Sequence, residues 1–401
     1  MASSAGKATE FSATDSVLGY FYQVRLALLL SLQRLGADQS FALYLETLDD
    51  VVFNTSGSAP ELLQLKHRCK RSANLTDASP DLWKSLRVWI ENRKYGTFPA
   101  DARLFLITTS SVGPNSAASK LVDIDRHEGE ALKLLNYAAS TSTNTANKRA
   151  YRSYLKLSDV ERLKLLRTVV ILSSAPSISD VGAMIRNEAR LAVRREHLDS
   201  FVARLEGWWF KRVLRQLMDE SSPPIDSSEI ESEWHDLQEQ FKGDSLPVDK
   251  DVLQHEVDAT VYENAPFVHQ VLLTGVGNER ILAAIRDYFR AFAQRSRWVR
   301  EDLLLVGELD GYEQVLREQW AIQFNRVTDE LDENALEPEK RSAARRVFAW
   351  VEDSSYPIRP QVGHPSMTRG SLHILANALE GGWHPDFAQR LRYLLEREEV
   401  S

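Results

Sequence analysis

Val17, Leu18, Phe21, Val24, Leu28 and Leu32 recur at three- and four-residue spacing. That period predicts a first helix, opened by Asp15 or Ser16 and closed at Gly36. Residues 41–46 and 48–53 then read as two short extended runs rich in strand formers, and 54–60 as a Ser/Gly/Pro turn. Glu61-Leu-Leu-Gln-Leu-Lys66 reads as the next strand of a hairpin. Leu82, Trp83, Leu86, Trp89 and Ile90 mark a second helix, and Arg103-Leu-Phe-Leu-Ile-Thr108 a buried-type strand ending in a Thr/Ser-rich loop. Residues 160–167 look helical, 168–173 form a β-branched strand, and a broken helix runs from Ser179 or Asp180 to about Leu217. Helix, strand, strand, strand, helix, strand predicts an α/β core.

Ser221-Ser-Pro-Pro224 is the clearest break, and the acidic, Pro-interrupted stretch 229–251 reads as a linker. Beyond it the period is helical. Ile281, Ile285, Phe289 and Phe292 share one face, and Tyr312, Leu316, Trp320 and Phe324 repeat every four residues. The expected organisation is an α/β domain over 1–220, a linker or loosely packed segment over 221–260, and a mostly α-helical C-terminal domain over 261–401.

Composition narrows the function classes. Hydrophobic residues are 43 % and charged residues 26 % of the 401, ordinary for a globular chain. The net charge of −8 argues against a protein that coats itself with nucleic acid, so any such contact needs a local basic patch or an assembled oligomer. The one cysteine, Cys69, excludes intrachain disulfides and a thiolate zinc cluster. No apolar run approaches a membrane span, and the polar N-terminus lacks a signal-peptide core, so a cytoplasmic location with no membrane partner is expected. P-loop, Gly-x-Ser-x-Gly and His-Glu-x-x-His motifs are absent from the sequence. His364, His373 and His384 are scattered and read as core or loop histidines.

The informative stretch runs from Glu46 to Lys66. Metal-dependent phosphodiester cleavage needs carboxylates for a hard divalent cation, a further oxygen donor, and a cation to meet the charge of the transition state. A β-hairpin assembles these when an acidic residue ends one strand and an acceptor-x-Lys triplet lies on the next. Strand side chains alternate faces, so Gln64 and Lys66 share a side while Leu65 turns into the core. Lys66-His-Arg-Cys-Lys-Arg71 is the densest basic cluster and could hold a phosphate backbone.

With Glu46-Thr-Leu-Asp49-Asp50-Val-Val-Phe, the turn, and Gln64-Leu-Lys66, the stretch resembles the PD-(D/E)xK restriction-endonuclease-like superfamily, in the variant with Gln at the second acidic position. The preceding Gly19-Tyr-Phe-Tyr22-Gln23 fits the same resemblance. It implies a restriction-endonuclease-like nuclease domain in the α/β part, with Mg²⁺ or Mn²⁺ as cofactor. Asp50 is then the favoured metal ligand and Asp49 its rival. Gln64 is the second-strand ligand, Lys66 the catalytic cation, and Glu46 and Gln23 are auxiliary groups. His67, Arg68, Lys70 and Arg71 become the DNA-binding set. Gln64 in place of an acid also suits a catalytically degenerate adaptor that binds DNA or partner proteins.

The aromatic-rich segment from Ile285 through Trp298, Glu301, Tyr312 and Trp320, with Gly382-Trp-His384-Pro-Asp, looks like the C-terminal domain of effectors in ABC-three-component defence systems. On combined architecture the chain resembles the nuclease subunit of Lamassu anti-phage systems. CBASS effectors share such a nuclease but add an α/β sensor, whose strand pattern is not seen after residue 262. The resemblance implies a double-stranded DNA endonuclease, active as a homo-oligomer or on release from an SMC-like ATPase subunit and a small third subunit. Trp298, Tyr312, Trp320 and Trp383 are otherwise read as core.

Overall fold

The computed structural model describes residues 13–66, 74–219 and 221–398. They form two compact units: residues 1–192 with 201–235, and residues 193–200 with 236–401.

In the first unit α1 (Ala13–Gly36) precedes β1 (Ala42–Leu45), β2 (Val51–Asn54) and β3 (Glu61–Lys66). The short β4 (Asn74–Leu75), α2 (Pro80–Lys94), β5 (Arg103–Thr108) and β6 (Ser111–Val112) follow. Next come α3 (Glu128–Thr141), α4 (Lys148–Leu155), α5 (Asp159–Thr168) and β7 (Val169–Leu172). The unit continues through α6 (Ile178–Glu188), α7 (Leu198–Met218), β8 (Ile225–Asp226) and α8 (Ser227–Gln240). One sheet has the order β7-β5-β3-β2-β1-β8, and β4 pairs with β6 separately. The neighbours β3, β5 and β7 run parallel, whereas β3, β2, β1 and β8 run antiparallel to one another in turn. The hairpin thus feeds a parallel half whose strands need crossover helices, and α2 is the first of them.

Both faces of the sheet are covered, which explains why successive residues of β3 and β5 are buried, the polar Gln64 included. On one face Val52, Leu62, Leu104, Leu106, Val169 and Ile171 share a core with Trp83, Leu86 and Trp89 of α2. Trp83 meets Tyr151 and Tyr154 of α4 edge-on, at ring-centroid distances of 4.6 and 5.3 Å. Beneath the other face, Arg34 of α1 pairs with Glu61 at 2.6 Å and lies 3.8 Å from the centre of the Phe53 ring. The indole Nε1 of Trp209 in α7 donates to the Val24 carbonyl of α1 at 2.8 Å.

The expected linker over 221–260 is replaced by structure. Arg212, itself buried, donates to the carbonyls of Pro223 and Pro224 at 3.1 and 3.0 Å and to Glu229 at 2.6 Å. The pinned chain then lets β8 pair with β1, Leu43 opposite Ile225. The boundary between units falls at His235–Asp236, inside α8, and residues 193–200 belong to the second unit.

The second unit contains α9 (Lys250–Gln254), α10 (Pro266–Thr274), α11 (Asn278–Arg300), α12 (Glu308–Thr328), α13 (Glu337–Asp353), α14 (Pro365–Asn377) and α15 (Phe387–Glu398). Its core joins Phe267, Leu316, Val347, Phe348, Leu372 and Trp383. Helices α11 and α14 touch at Gly370, where a Cβ would stand 1.9 Å from the Asp287 carbonyl oxygen. Only glycine permits that approach. Among the described residues, no helix is long and apolar enough to cross a membrane.

Candidate active site

The antiparallel register of β2 with β3 pairs Val52 with Leu62 and Val51 with Leu63. Continued by one residue, it sets Asp50 against Gln64. The register of β1 with β2, continued likewise, sets Glu46 against Asp50, and the Glu46 N–H donates to the Asp50 carbonyl at 3.1 Å. Glu46 itself takes a left-handed φ of 53°, where β1 ends and the connection to β2 begins. Gln64 and Lys66 share the face of Leu62, the one covered by α2, because side chains alternate along β3.

Asp50 is tied to this row. Its Oδ2 accepts the Leu65 backbone N–H at 2.6 Å, across the strand junction. That bond leaves Oδ1 with no hydrogen-bond partner among the described residues. Asp49 has a different role. It is buried, its Oδ2 accepts the Trp89 indole N–H at 2.7 Å, and its Oδ1 accepts the Asp50 N–H at 3.1 Å. Burial pushes the Asp49 carboxyl up to about 7, and the charge of Asp50 adds to the rise. Burial also raises Glu46, again with help from Asp50, while Lys66 draws it back. Tyr20 of α1 is raised by burial and by the charge of Glu46. Glu46 and Asp49 therefore both sense the charges of Asp50 and Lys66, and Tyr20 senses that of Glu46.

Sequence spacing thus brings Asp50, Gln64, Lys66 and Glu46 to one end of the hairpin. Gln64, expected to turn away from the core, is instead buried, at 6 % exposure, because α2 covers its face as well. Lys66 is half-buried and has no ion-pair partner among the described residues. Gln23 is half-buried on α1, one turn beyond Tyr20, and hydrogen-bonds to none of these groups among the described residues. His67, Arg68, Lys70 and Arg71 lie outside the described residues. Trp89 is the neighbour that sequence reading took only as a marker of the second helix; its polar indole edge is what separates Asp49 from Asp50.

The donor set suits a hard divalent cation. Mg²⁺ commonly takes one or two carboxylates, keeps several waters and completes its shell with substrate phosphate. The free Oδ1 of Asp50 and the amide oxygen of Gln64 supply oxygen ligands of that kind. Glu46, Asp49 and Asp50 do not close into a three-carboxylate nest. Among the described residues, the group of three such ligands within 4.8 Å is Glu337, His384 and Asp386, in the second unit. There Lys340 and Arg390 already pair with the carboxylates, at 3.0 Å for Lys340–Asp386 and 2.5 Å for Arg390–Glu337, so the cluster is an ion-pair network.

Residues 267–391 match the family model for C-terminal domain 7 of the ABC-three component (ABC-3C) systems. The match supports the anti-phage setting expected from the aromatic-rich segment. No curated protein matches the chain. Among solved structures, the Acinetobacter baumannii Cap4 SAVED/CARF-domain containing receptor with the cyclic trinucleotide 3'3'3'-cAAA is similar at 13 % identity and a TM-score of 0.33. That likeness covers 71 % of this chain and 67 % of the receptor. The same receptor in a second structure gives 14 % identity and a TM-score of 0.32, over 71 % and 70 % of the two chains. Likenesses at these TM-scores fix neither fold nor activity.

Proposed function

We propose that this chain is a metal-dependent double-stranded DNA endonuclease serving a multi-subunit anti-phage complex. The observation that carries the reading is the clamp of Asp50 onto β3 through the Leu65 N–H at 2.6 Å. It holds one carboxylate oxygen free opposite Gln64, with Lys66 two residues further along the same face.

In this reading Asp50 and Gln64 hold Mg²⁺ or Mn²⁺, and Glu46 acts beside them. The ion, when bound, would neutralise charge on the scissile phosphate. Lys66 meets the negative charge that grows on the phosphate oxygens, a role for which a half-buried, unpaired ammonium is well placed. Asp49, raised to about 7 and held by Trp89, fixes the turn that carries Asp50. We assign it a positioning role. His67, Arg68, Lys70 and Arg71 follow Lys66 directly and would grip backbone phosphates. An SMC-like ATPase subunit and a small third subunit are the proposed partners, and control by assembly or oligomerisation suits an acidic chain with one dense basic cluster, residues 66–71.

The test is supercoiled plasmid incubated with the full chain, alone and with its partner subunits, in Mg²⁺, Mn²⁺ or EDTA. Lys66→Ala and Asp50→Asn are expected to lower cleavage by about 100-fold or more. Asn keeps an acceptor for the Leu65 N–H, so folding is preserved. Undiminished cutting in both variants would refute the assignment. A wild-type chain that binds DNA, takes up no divalent ion and never cuts would be the adaptor that the neutral Gln64 also suits.

A further inference from the structure

A cavity of about 420 Å³ opens in the second unit between α11, α13 and α14. Its size lies within the range of small-molecule sites. Its floor is apolar: Ala284, Phe348 and Val351 are all buried. Four arginines stand around it, Arg280, Arg286, Arg290 and Arg369, against two carboxylates, Asp287 and Glu352. The carboxylates are spoken for. Arg369 pairs with Asp287 at 2.6 Å, and Arg280 with Glu352 through Nε at 2.8 Å.

Two guanidinium groups remain in excess. Arg286 is exposed and has no partner among the described residues. Arg290 gives one Nη2 bond to the Leu253 carbonyl at 2.7 Å, and its buried Nε has no partner. Helical spacing puts Arg286 and Arg290 four residues apart, on one stripe of α11, so both can address one anion. His373 completes the wall. It is 2 % exposed, and its buried Nδ1 has no hydrogen-bond partner among the described residues. An orphaned buried polar group of this kind calls for a ligand or an ordered water. Burial drops the His373 pKa to about 3, so the ring stays neutral and suits a neutral hydrogen-bonding edge rather than a phosphate.

We propose that this cleft binds a nucleotide, its base over the apolar floor against His373 and its phosphates toward Arg286 and Arg290. Three features select that class: an apolar floor with the Arg280 guanidinium 5.0 Å from the centre of the Phe348 ring, a neutral hydrogen-bonding ring nitrogen, and two uncompensated guanidiniums at one end. A bare anion would use only the last. An apolar ligand would leave the arginines unpaired.

Titration calorimetry of the full chain in phosphate-free buffer, with ATP, GTP, adenosine and tripolyphosphate as probes, tests this. ATP or GTP is expected to bind, with adenosine and tripolyphosphate each at least tenfold weaker than the better nucleotide. Arg286→Ala is expected to weaken that nucleotide at least fivefold, and Arg286→Glu to weaken it further. Arg286 is exposed and unpaired, so both variants keep the fold. Silence toward both nucleotides at millimolar concentration overturns the proposal. So does tripolyphosphate binding as well as ATP, which leaves only an anion patch, or nucleotide binding that ignores both substitutions. Plasmid cleavage by the first unit is expected to be unchanged in Arg286→Ala, so failure here leaves the nuclease reading standing.

Discussion

Asp49 and Asp50 are chain neighbours with the same side chain, and the sequence could not rank them beyond a preference for Asp50. What separates them is Trp89, forty positions on, whose indole N–H takes Asp49 into the core while Leu65 holds Asp50 at the strand junction. Such a choice depends on a long-range contact, and no local pattern encodes it. That Gln64 and Lys66 share a face was legible because alternation along a strand is local, whereas the burial of Gln64 under α2 was not. His373 was read from sequence as a core or loop histidine, and its burial makes a pH prediction. Its folded pKa lies near 3, against 6.5 for an unperturbed ring. The unfolded chain therefore takes up the proton first, and stability is lost as pH falls below 6.5, down to about 3. The loss is about 2 kcal/mol by pH 5, at 1.36 kcal/mol per unit. His373→Phe keeps an aromatic ring against Phe267, Phe348 and Trp383 and removes the titration. Thermal unfolding at pH 7 and pH 5 is expected to show a smaller drop in Tm for the variant. Equal drops would mean that the native ring accepts a proton without penalty.

At the scale of elements, the legible parts were those with an unmixed period. β3 and β5 fall on the residues their apolar runs mark, and α11 carries the stripe of Ile281 and Ile285. The misses have physical causes. α3 and α4 went unread because Ser, Thr and Asn crowd the stretch between 136 and 147, which reads as loop. α8 was taken for linker on its acidity, although Ile230, Trp234, Leu237 and Phe241 repeat at helical spacing, and Trp234 meets Phe201 at 5.1 Å. Composition hid a period that was present. The crossing of α11 and α14 was equally invisible, since nothing local marks Gly370 as a contact point. Gly370→Ala would drive a Cβ to 1.9 Å from the Asp287 carbonyl and 2.6 Å from Ala291 Cβ. Backbone cannot yield as a side-chain tip can, so overpacking here is expected to cost about 3 kcal/mol. Urea unfolding measures it; a loss below about 1 kcal/mol would show that the two helices separate freely.

For the whole molecule, the energetic question is whether the two units stand or fall together. Each closes its own core: Leu104 and Leu106 with Trp83 and Trp89 in one, Leu372 and Val347 with Trp383 in the other. These two clusters share no residue, so each unit has an apolar core of its own, and apolar burial is the largest favourable term in folding. Calorimetry of the full chain is therefore expected to resolve two transitions. Leu104→Ala and Leu372→Ala each empty a fully buried site and cost about 2–5 kcal/mol. Each is expected to lower one transition and leave the other in place. A ligand that binds one native unit raises only that unit's transition, in proportion to RT ln(1 + [L]/Kd). ATP or GTP, whichever binds, is therefore expected to lift the transition that Leu372→Ala lowers. One shared transition, moved by both substitutions, would mean that the units unfold as a single body, and a nucleotide bound to the helical unit would then stabilise the first unit as well.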